Sequence, residues 1–417
     1  MPRSPHDRLL AACAAHEARL VEIARRLIAA PSPNPPGITH DVAAAAAAIV
    51  RECVPAAELA IHRASDEVSN LVAVLRGAAP GRRIVLNGHL DTYPLGDPSG
   101  WSVDPFAGVL RDGRLYGRGA ADMKGGIAAM IVAFAALADR AADWHGEVVL
   151  TLAGDEESMG TLGTQYLLDH VPAARGDAVL IADAGSPMVP RFGEKGFLWV
   201  HVSATGTPAH GAHVHLGVNA LDRLRAALDA VDGLRALHPT PPPGVAEAIA
   251  AAQPISEALS GAGEAAVLSS LTVNLGRIAG GTSPNLVPAR AEAALDIRIP
   301  AGLSVATVER DLARALDGRE GVSFEVLRRT EPSVTDPSHP LVRCVAQAAT
   351  EVMGRAPAVN MRVGGSDARL FRRAGIATVV YGPTPHNMGG VDEHVLVDEL
   401  ITVARVHALA ALALLES

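Results

Sequence analysis

The chain predicts an α/β fold, a mixed sheet with helices on both faces, interrupted by a smaller α+β module. Three observations carry this. Before Gly193, short apolar strand runs alternate with helical stretches. From Gly193 the texture changes to alternating strands with one clear helix. After Pro300 the helical, apolar rhythm returns. One domain is therefore expected from residues 1–192 together with 304–417, and a second from residues 193–303. No internal repeat is present.

In order, the first part reads as a helix near Leu10 to Ala29, a helix from His40 to Cys53, and strands at Asn70 to Leu75 and Ile84 to Asn87. A helix from Lys124 to Arg140, the strand Glu147 to Leu152, a helix from Gly160 to Asp169 and the strand Ala178 to Ile181 complete it. The interrupting module has strands at Phe197 to Ala204, Ser270 to Ile278 and Ala291 to Ile299, and a helix from Asn219 to Leu237. Pro239 to Gly263, rich in Pro, Ala and Gly, reads as an irregular excursion. The last part has helices at Thr307 to Leu316, Leu341 to Val352 and Ala368 to Ala374, the strand Ala377 to Tyr381 and a helix from Asp398 to Leu415.

Composition sets bounds. With 417 residues, 49% of them hydrophobic, the chain can fill two cores. A net charge of -9 with only 36 Lys and Arg leaves no basic stripe for a nucleic-acid backbone. Cys13, Cys53 and Cys344 stand outside any CxxC spacing and read as reduced packing residues, not as a disulfide framework or thiolate site. The start, Met1 to Arg8, lacks the apolar core of a leader, and the Ala-rich tracts Val42 to Val50 and Ile127 to Ala138 are too short to span a bilayer. The expectation is a cytoplasmic protein with no membrane partner.

The chemistry gathers at strand ends. His89, Asp91, the Asp155-Glu156-Glu157 run and Asp183 each come after an apolar strand, where an α/β sheet opens its ligand crevice. Carboxylates brought so close repel one another unless a cation intervenes, and an imidazole among them points to a divalent metal, zinc above all. His89 and Asp91, two apart on a strand end, share a face; the bland alternative is a satisfied strand-end histidine. Asp122, just before a helix and among Gly117, Gly119, Gly125 and Gly126, is either a site carboxylate or an N-cap. Adjacent Glu156 and Glu157 diverge, so one can ligate while the other takes a proton; alone they would read as a solvated acidic turn.

Taken together, Gly88-His89-Leu90-Asp91, Gly117-Arg118-Gly119 to Gly126, Asp155-Glu156-Glu157, Gly364-Gly365-Ser366-Asp367 and Gly382-Pro383 to Glu393 resemble the acetylornithine deacetylase, succinyl-diaminopimelate desuccinylase and carboxypeptidase G type of metallopeptidases. The likeness runs from about Asn70 to Asp398. It implies two zinc ions, with cobalt or manganese as substitutes. His89 and Asp183 would hold one ion, Asp122 would bridge, Glu157 would hold the second, Glu156 would be the general base and Asp91 the orienting carboxylate. It also implies a cis peptide at Asp122-Met123, and Asp183 in place of Glu leans towards the exopeptidase branch. The sequence departs from the family at the closing ligand: the usual histidine position, four before Glu393, is Gly389. His386 is the first candidate in its stead, a missing imidazole the next alternative, and His394 the last.

His210, His213 and His215 form a cluster in a glycine-containing loop, read from the residues as a separate metal site or a polar turn. The resemblance instead makes His210 an oxyanion-stabilising residue of a lid domain through which members dimerise. It makes Asn285 and Arg298 a receptor for a substrate carboxylate, against the plainer reading of Arg298 as a strand-surface residue, and Gly365, Ser366 and Asp367 part of the pocket floor. The implied function is a metal-dependent hydrolase, homodimeric, cleaving the C–N amide bond of an N-acyl amino acid or small peptide. The alternatives are hydrolysis of another C–N bond, in a formyl, carbamoyl or aryl amine group, and a catalytically idle zinc-binding protein; a substrate panel and metal stoichiometry separate them.

Overall fold

The computed structural model describes residues 4–416; residues 1–3, the head of the stretch read for a leader, and residue 417 lie outside the described residues. The chain forms two compact units. The first is built from residues up to Phe192, from Thr335–Asn360 and from Ser366 onward; the second from Gly193–Val334 and Met361–Gly365.

The first unit holds a mixed sheet in the order Glu58–Arg63, Ser69–Arg76, Glu147–Ala153, Arg83–His89, Ala178–Ile181, Ala377–Val380. The strands from Glu147–Ala153 onward run parallel, and the first two are antiparallel to their neighbours. Ile84-Val85-Leu86 and Val148-Val149-Leu150 are buried without alternation, as strands covered on both faces must be. The helix Gly125–Ala138 covers this sheet and is buried from Gly125 to Leu137. Among the described residues it lies in the one stretch, Ala120–Ala138, long and apolar enough to cross a membrane, but that stretch is wholly buried, as a core helix is. The single helix expected near Leu10 to Ala29 is two, Pro5–Glu17 and Leu20–Ile28, parted by a turn at Ala18 and Arg19.

The second unit is a four-stranded antiparallel sheet in the order Thr272–Gly280, Arg290–Ile299, Gly196–Thr205, Val322–Thr330. Along Arg290–Ile299 buried and half-buried residues alternate, the mark of a sheet with one covered face. Val308 and Leu312 of the helix Val305–Leu316 join Leu224 and Val231 of the helix Ala220–Asp232 in its core. This corrects the expected boundary at residue 303. The helical rhythm after Pro300 points to the first domain, but that helix and the strand after it complete the second sheet, through pairs such as Phe324 with Val202. Periodicity marks a helix without saying which sheet it covers. The excursion expected at Pro239 to Gly263 is also corrected: Val245–Ser260 is a helix containing Pro254, and it buries Val245, Ile249, Ala252 and Ser256 as one stripe.

Candidate metal centre

Three parallel strands deliver the site. His89 pairs with Ala153 and Asn87 with Ile181, so the strands Arg83–His89, Glu147–Ala153 and Ala178–Ile181 end at one edge of the sheet. Just beyond those ends lie Asp91, Asp155 to Glu157, and Asp183. Asp122 comes from the turn Ala120–Lys124, where its backbone is non-helical (φ -134°, ψ 95°) and its peptide to Met123 is cis. The N-cap position of the next helix is Lys124, so Asp122 is not a cap.

Two glycines press on Asp183. A Cβ on Gly126 would lie 2.0 Å from the Ala182 carbonyl oxygen, and one on Gly382 would lie 2.0 Å from that of Asp183. Only bare backbone can approach this closely.

His89, Asp122 and Asp183 offer ligand atoms that all lie within 4.8 Å of one another, and all three residues are buried. His89 Nε2 is 2.9 Å from Asp122 Oδ1. Its Nδ1 is 2.9 Å from the Asp91 carbonyl oxygen and 3.5 Å from the Asp91 carboxylate. The backbone carbonyl of Asp91, more than its side chain, therefore orients the ring. The Asp91 carboxylate is engaged elsewhere: it accepts the amides of Glu156 and Glu157, both at 3.0 Å, and the side-chain amide of Asn34 at 2.8 Å.

The electrostatics ask for a cation. Burial, with the Asp122 charge behind it, pushes Glu157 up to about 9, and burial pushes Glu156 up to about 7 against the opposing pull of Arg369. Burial would depress His89, yet Asp122 and Asp91 override it and hold the imidazole well above its ordinary range. Carboxylates that tend to protonate around an imidazole that tends to keep its proton are groups competing for positive charge at one place. One imidazole and two carboxylates at this spacing are a donor set that fits a divalent ion. Glu157 and His386 are outside the triad. Each carries a buried atom with no hydrogen-bond partner, Glu157 Oε1 and His386 Nε2.

A family model described as peptidase family M20/M25/M40 matches residues 85–413. The chain belongs to this family. It is a metal-dependent hydrolase of amide bonds. The M20 chain is 32% identical over 349 residues to a succinyl-diaminopimelate desuccinylase of Rhodospirillum centenum, covering 82% of this chain and 83% of that protein. Among solved structures it is similar to the M20 metallo-carboxypeptidase Sso-CP2 of Sulfolobus solfataricus (20% identity, TM-score 0.74, 95% of this chain and 98% of that one). It is also similar to human carnosine dipeptidase 1 (17% identity, TM-score 0.77, all of both chains).

The closing segment of this M20 chain takes its own path. Gly389 has a left-handed backbone (φ 71°), and its carbonyl accepts Arg118 Nη2 at 2.9 Å. His386 exchanges backbone hydrogen bonds with His394, and their rings stack at 4.8 Å. Arg118 and Glu393 form a buried ion pair, and Glu393 Oε1 accepts the amides of Ala121 (3.0 Å) and Asp122 (3.3 Å). Tyr93 faces the acidic cluster: its hydroxyl is pushed up first by burial, then by Glu157 and Asp122.

Several of these residues escape a reading of the sequence. Asn34 lies among prolines in Pro31 to Gly37 and reads as loop. Arg369 stands two residues after the Gly364-Gly365-Ser366-Asp367 segment, and a charged residue at a helix start signals exposure by default. It is buried, with Nη1 3.1 Å from Glu156 Oε1. Ser366 is buried and caps the Ala368 amide at 3.2 Å, while Gly365 is half-buried in the second unit.

In the second unit His210 and Asn285 are neighbours, since the Gly211 amide donates to the Asn285 carbonyl at 2.7 Å. His210 is exposed and its Nδ1 accepts the Ala212 amide at 3.1 Å. The rings of His210 and His213 are 5.8 Å apart and those of His213 and His215 6.0 Å, and the three do not form a metal-ligand group. Arg298 binds Asp296 through both Nε and Nη2 at 2.9 Å and lies over the Phe197 ring.

Proposed function

We propose that this M20 hydrolase cleaves the amide bond of an N-acyl amino acid or small peptide that carries a carboxylate, using two divalent ions, zinc in the first instance. His89 and Asp183 would hold one ion, Asp122 would be shared between the two, and Glu157 and His386 would complete the second. The unpartnered Glu157 Oε1 and His386 Nε2 support the last assignment. Bound there, the ions would supply Lewis-acid charge and make a water acidic near neutral pH.

The observation that carries the reading is that Asp91 grips the Glu156 amide beside the triad while the Glu156 side chain stays out of it. Glu156 then takes the proton of the attacking water and returns it to the leaving amine. His210, contributed by a second copy of the chain, donates to the developing oxyanion. Asn285 and Arg298 receive the substrate carboxylate, Arg298 by exchanging Asp296 for it, and Gly365 and Ser366 line the pocket. The succinyl group named for the Rhodospirillum relative is the first acyl group to try. A homodimer is supported by the exposed Val214, Leu216, Ile278 and Leu286 of the second unit, and a reducing, cytoplasmic setting by the free cysteines.

The test is a panel of N-succinyl-diaminopimelate, N-acetyl-amino acids and dipeptides, with formyl, carbamoyl and aryl amides as the competing class. It is run on the zinc-loaded protein and on Glu156→Ala. Turnover of the first group, abolished in the variant with metal content kept, is the expected result. A variant as active as the parent removes Glu156 from its role.

A further inference from the structure

We propose that Arg369 is a positioning residue for the general base: it anchors Glu156 through one carboxylate oxygen and leaves the other to exchange the proton. This rests on the role of Glu156 proposed above. Arg369 sits at the start of the short helix Ala368–Arg373 with its guanidinium buried, and its Nη1 meets Glu156 Oε1 at 3.1 Å. The same nitrogen donates to the Ser366 carbonyl, so the guanidinium is held from its own side of the site. A guanidinium nitrogen that donates at once to a backbone carbonyl and to one carboxylate oxygen restrains the rotamer of that carboxylate.

A second acid explains how the cation tolerates the proton transfer. Asp367 is buried, its Oδ2 accepts the Thr164 hydroxyl at 2.7 Å, and its Oδ1 has no hydrogen-bond partner. Thr164 is tied in turn to Asn87 at 3.3 Å, two residues before His89 on the same strand. The left-handed Gly160 (φ 72°) makes room for this pair: a Cβ there would lie 2.8 Å from Asp367 Oδ1 and 4.0 Å from Arg369 Nη2.

One buried cation therefore stands among two carboxylates. When the attacking water gives its proton to the free oxygen of Glu156, an O–H bond breaks and another forms, and Glu156 loses its charge. A guanidinium left alone in so dry a place would be costly, but Asp367, which burial pushes up only to about 6 against the pull of Arg369, offers it a second carboxylate at neutral pH. When Glu156 passes the proton to the amine nitrogen, the original pair is restored. The arrangement lets Glu156 change charge twice per turnover without moving.

The experiment compares Arg369→Gln, Arg369→Lys, Glu156→Gln and the Arg369→Gln/Glu156→Gln double variant as zinc-loaded proteins. The substrate is whichever amide of the panel above is hydrolysed best, and kcat, KM, zinc content and thermal midpoint are measured for each. Arg369→Gln is expected to lower kcat about 100-fold, the scale of a misplaced catalytic group, with KM within about threefold and zinc content unchanged. Arg369→Lys, which keeps the charge without the fork, is expected to recover about tenfold of that loss. In the Glu156→Gln background the second substitution is expected to cost nothing more, because the group it positions is already gone.

A KM that rises while kcat holds, in either Arg369 variant, makes Arg369 a substrate receptor and overturns the inference. So does a double variant that loses the full factor again. Should Arg369→Gln fail to fold, Arg369→Lys decides by the same split between kcat and KM. Failure of the underlying role is distinct: Glu156→Gln would then turn over like the parent.

Discussion

The Asp91 carboxylate and the Glu156 amide meet at 3.0 Å, and the same carboxylate takes the Glu157 amide at an equal distance. One buried side chain thus sets the turn that carries both glutamates, while its own backbone carbonyl orients His89. Asp91→Asn keeps the shape but turns one acceptor into a donor facing an N–H. The expected cost is about 1–3 kcal/mol of stability, from a buried donor left unsatisfied. A fall in kcat of about 100-fold should accompany it, because the base is displaced. Urea unfolding and steady-state kinetics on the same preparation check both, and an unaltered kcat would show that the turn does not depend on Asp91.

Gly126 and Ala182 provide a second test. A methyl group at 126 would overlap the Ala182 carbonyl at 2.0 Å and push on the strand end that bears Asp183. Gly126→Ala is expected to destabilise by about 1–3 kcal/mol, as overpacking does, and to lower zinc affinity. Gly233→Ala is the control, since a Cβ there meets nothing within 4 Å and the backbone is already helical. It should be neutral or gain up to about 1 kcal/mol. Equal zinc titrations for the two variants would argue that Asp183 does not feel the contact.

Much of this is legible in the sequence because it is local. Ile84-Val85-Leu86 and Val148-Val149-Leu150 are continuous apolar runs, so they read as buried strands. In a parallel sheet the residues just past such strands share one edge. That is why His89 and Asp183 are expected at one edge and stand there; Asp122 joins them from the turn Ala120–Lys124, a place that only the family resemblance implies. The features that escape are those that depend on long-range pairing. The strand Glu58–Arg63 is half exposed and shows no apolar run, and Val322–Thr330 alternates with charged residues and joins a sheet whose other strands lie before residue 300. Arg369 is invisible for a related reason. Nothing around Ala368-Arg369-Leu370 shows that the guanidinium turns inward to Glu156, a residue more than two hundred positions away.

The buried Arg118–Glu393 pair ties the segment carrying His386 to the turn carrying Asp122, since Arg118 also holds the carbonyls of Gly389 (2.9 Å) and Gly390 (3.1 Å). Glu393→Ala strands a buried guanidinium and is expected to cost about 3–5 kcal/mol. The Arg118→Met/Glu393→Ala double variant should cost clearly less than the two single losses combined, because the uncompensated charge is gone. Strict additivity in thermal or urea unfolding would mean that the two residues stabilise the protein independently.

His407 governs a different property, the response to acid. It is fully buried in the helix Val397–Leu415, where Nε2 donates to the Tyr381 carbonyl at 2.7 Å and Nδ1 has no partner. Burial lowers its pKa from 6.5 to about 4. The sign depends on the protons each state binds. Above 6.5 both folded and unfolded chains hold a neutral ring, and this group adds no pH dependence. Between 6.5 and about 4 the unfolded chain binds a proton that the folded chain excludes, so stability falls as the pH falls. His407→Gln keeps a donor for the Tyr381 carbonyl and removes the titration. On passing from about pH 7 to about pH 4.5, the parent should lose about 2 kcal/mol more than the variant. Urea midpoints at the two pH values measure the difference, and parallel losses would mean that His407 already carries its proton in the folded protein.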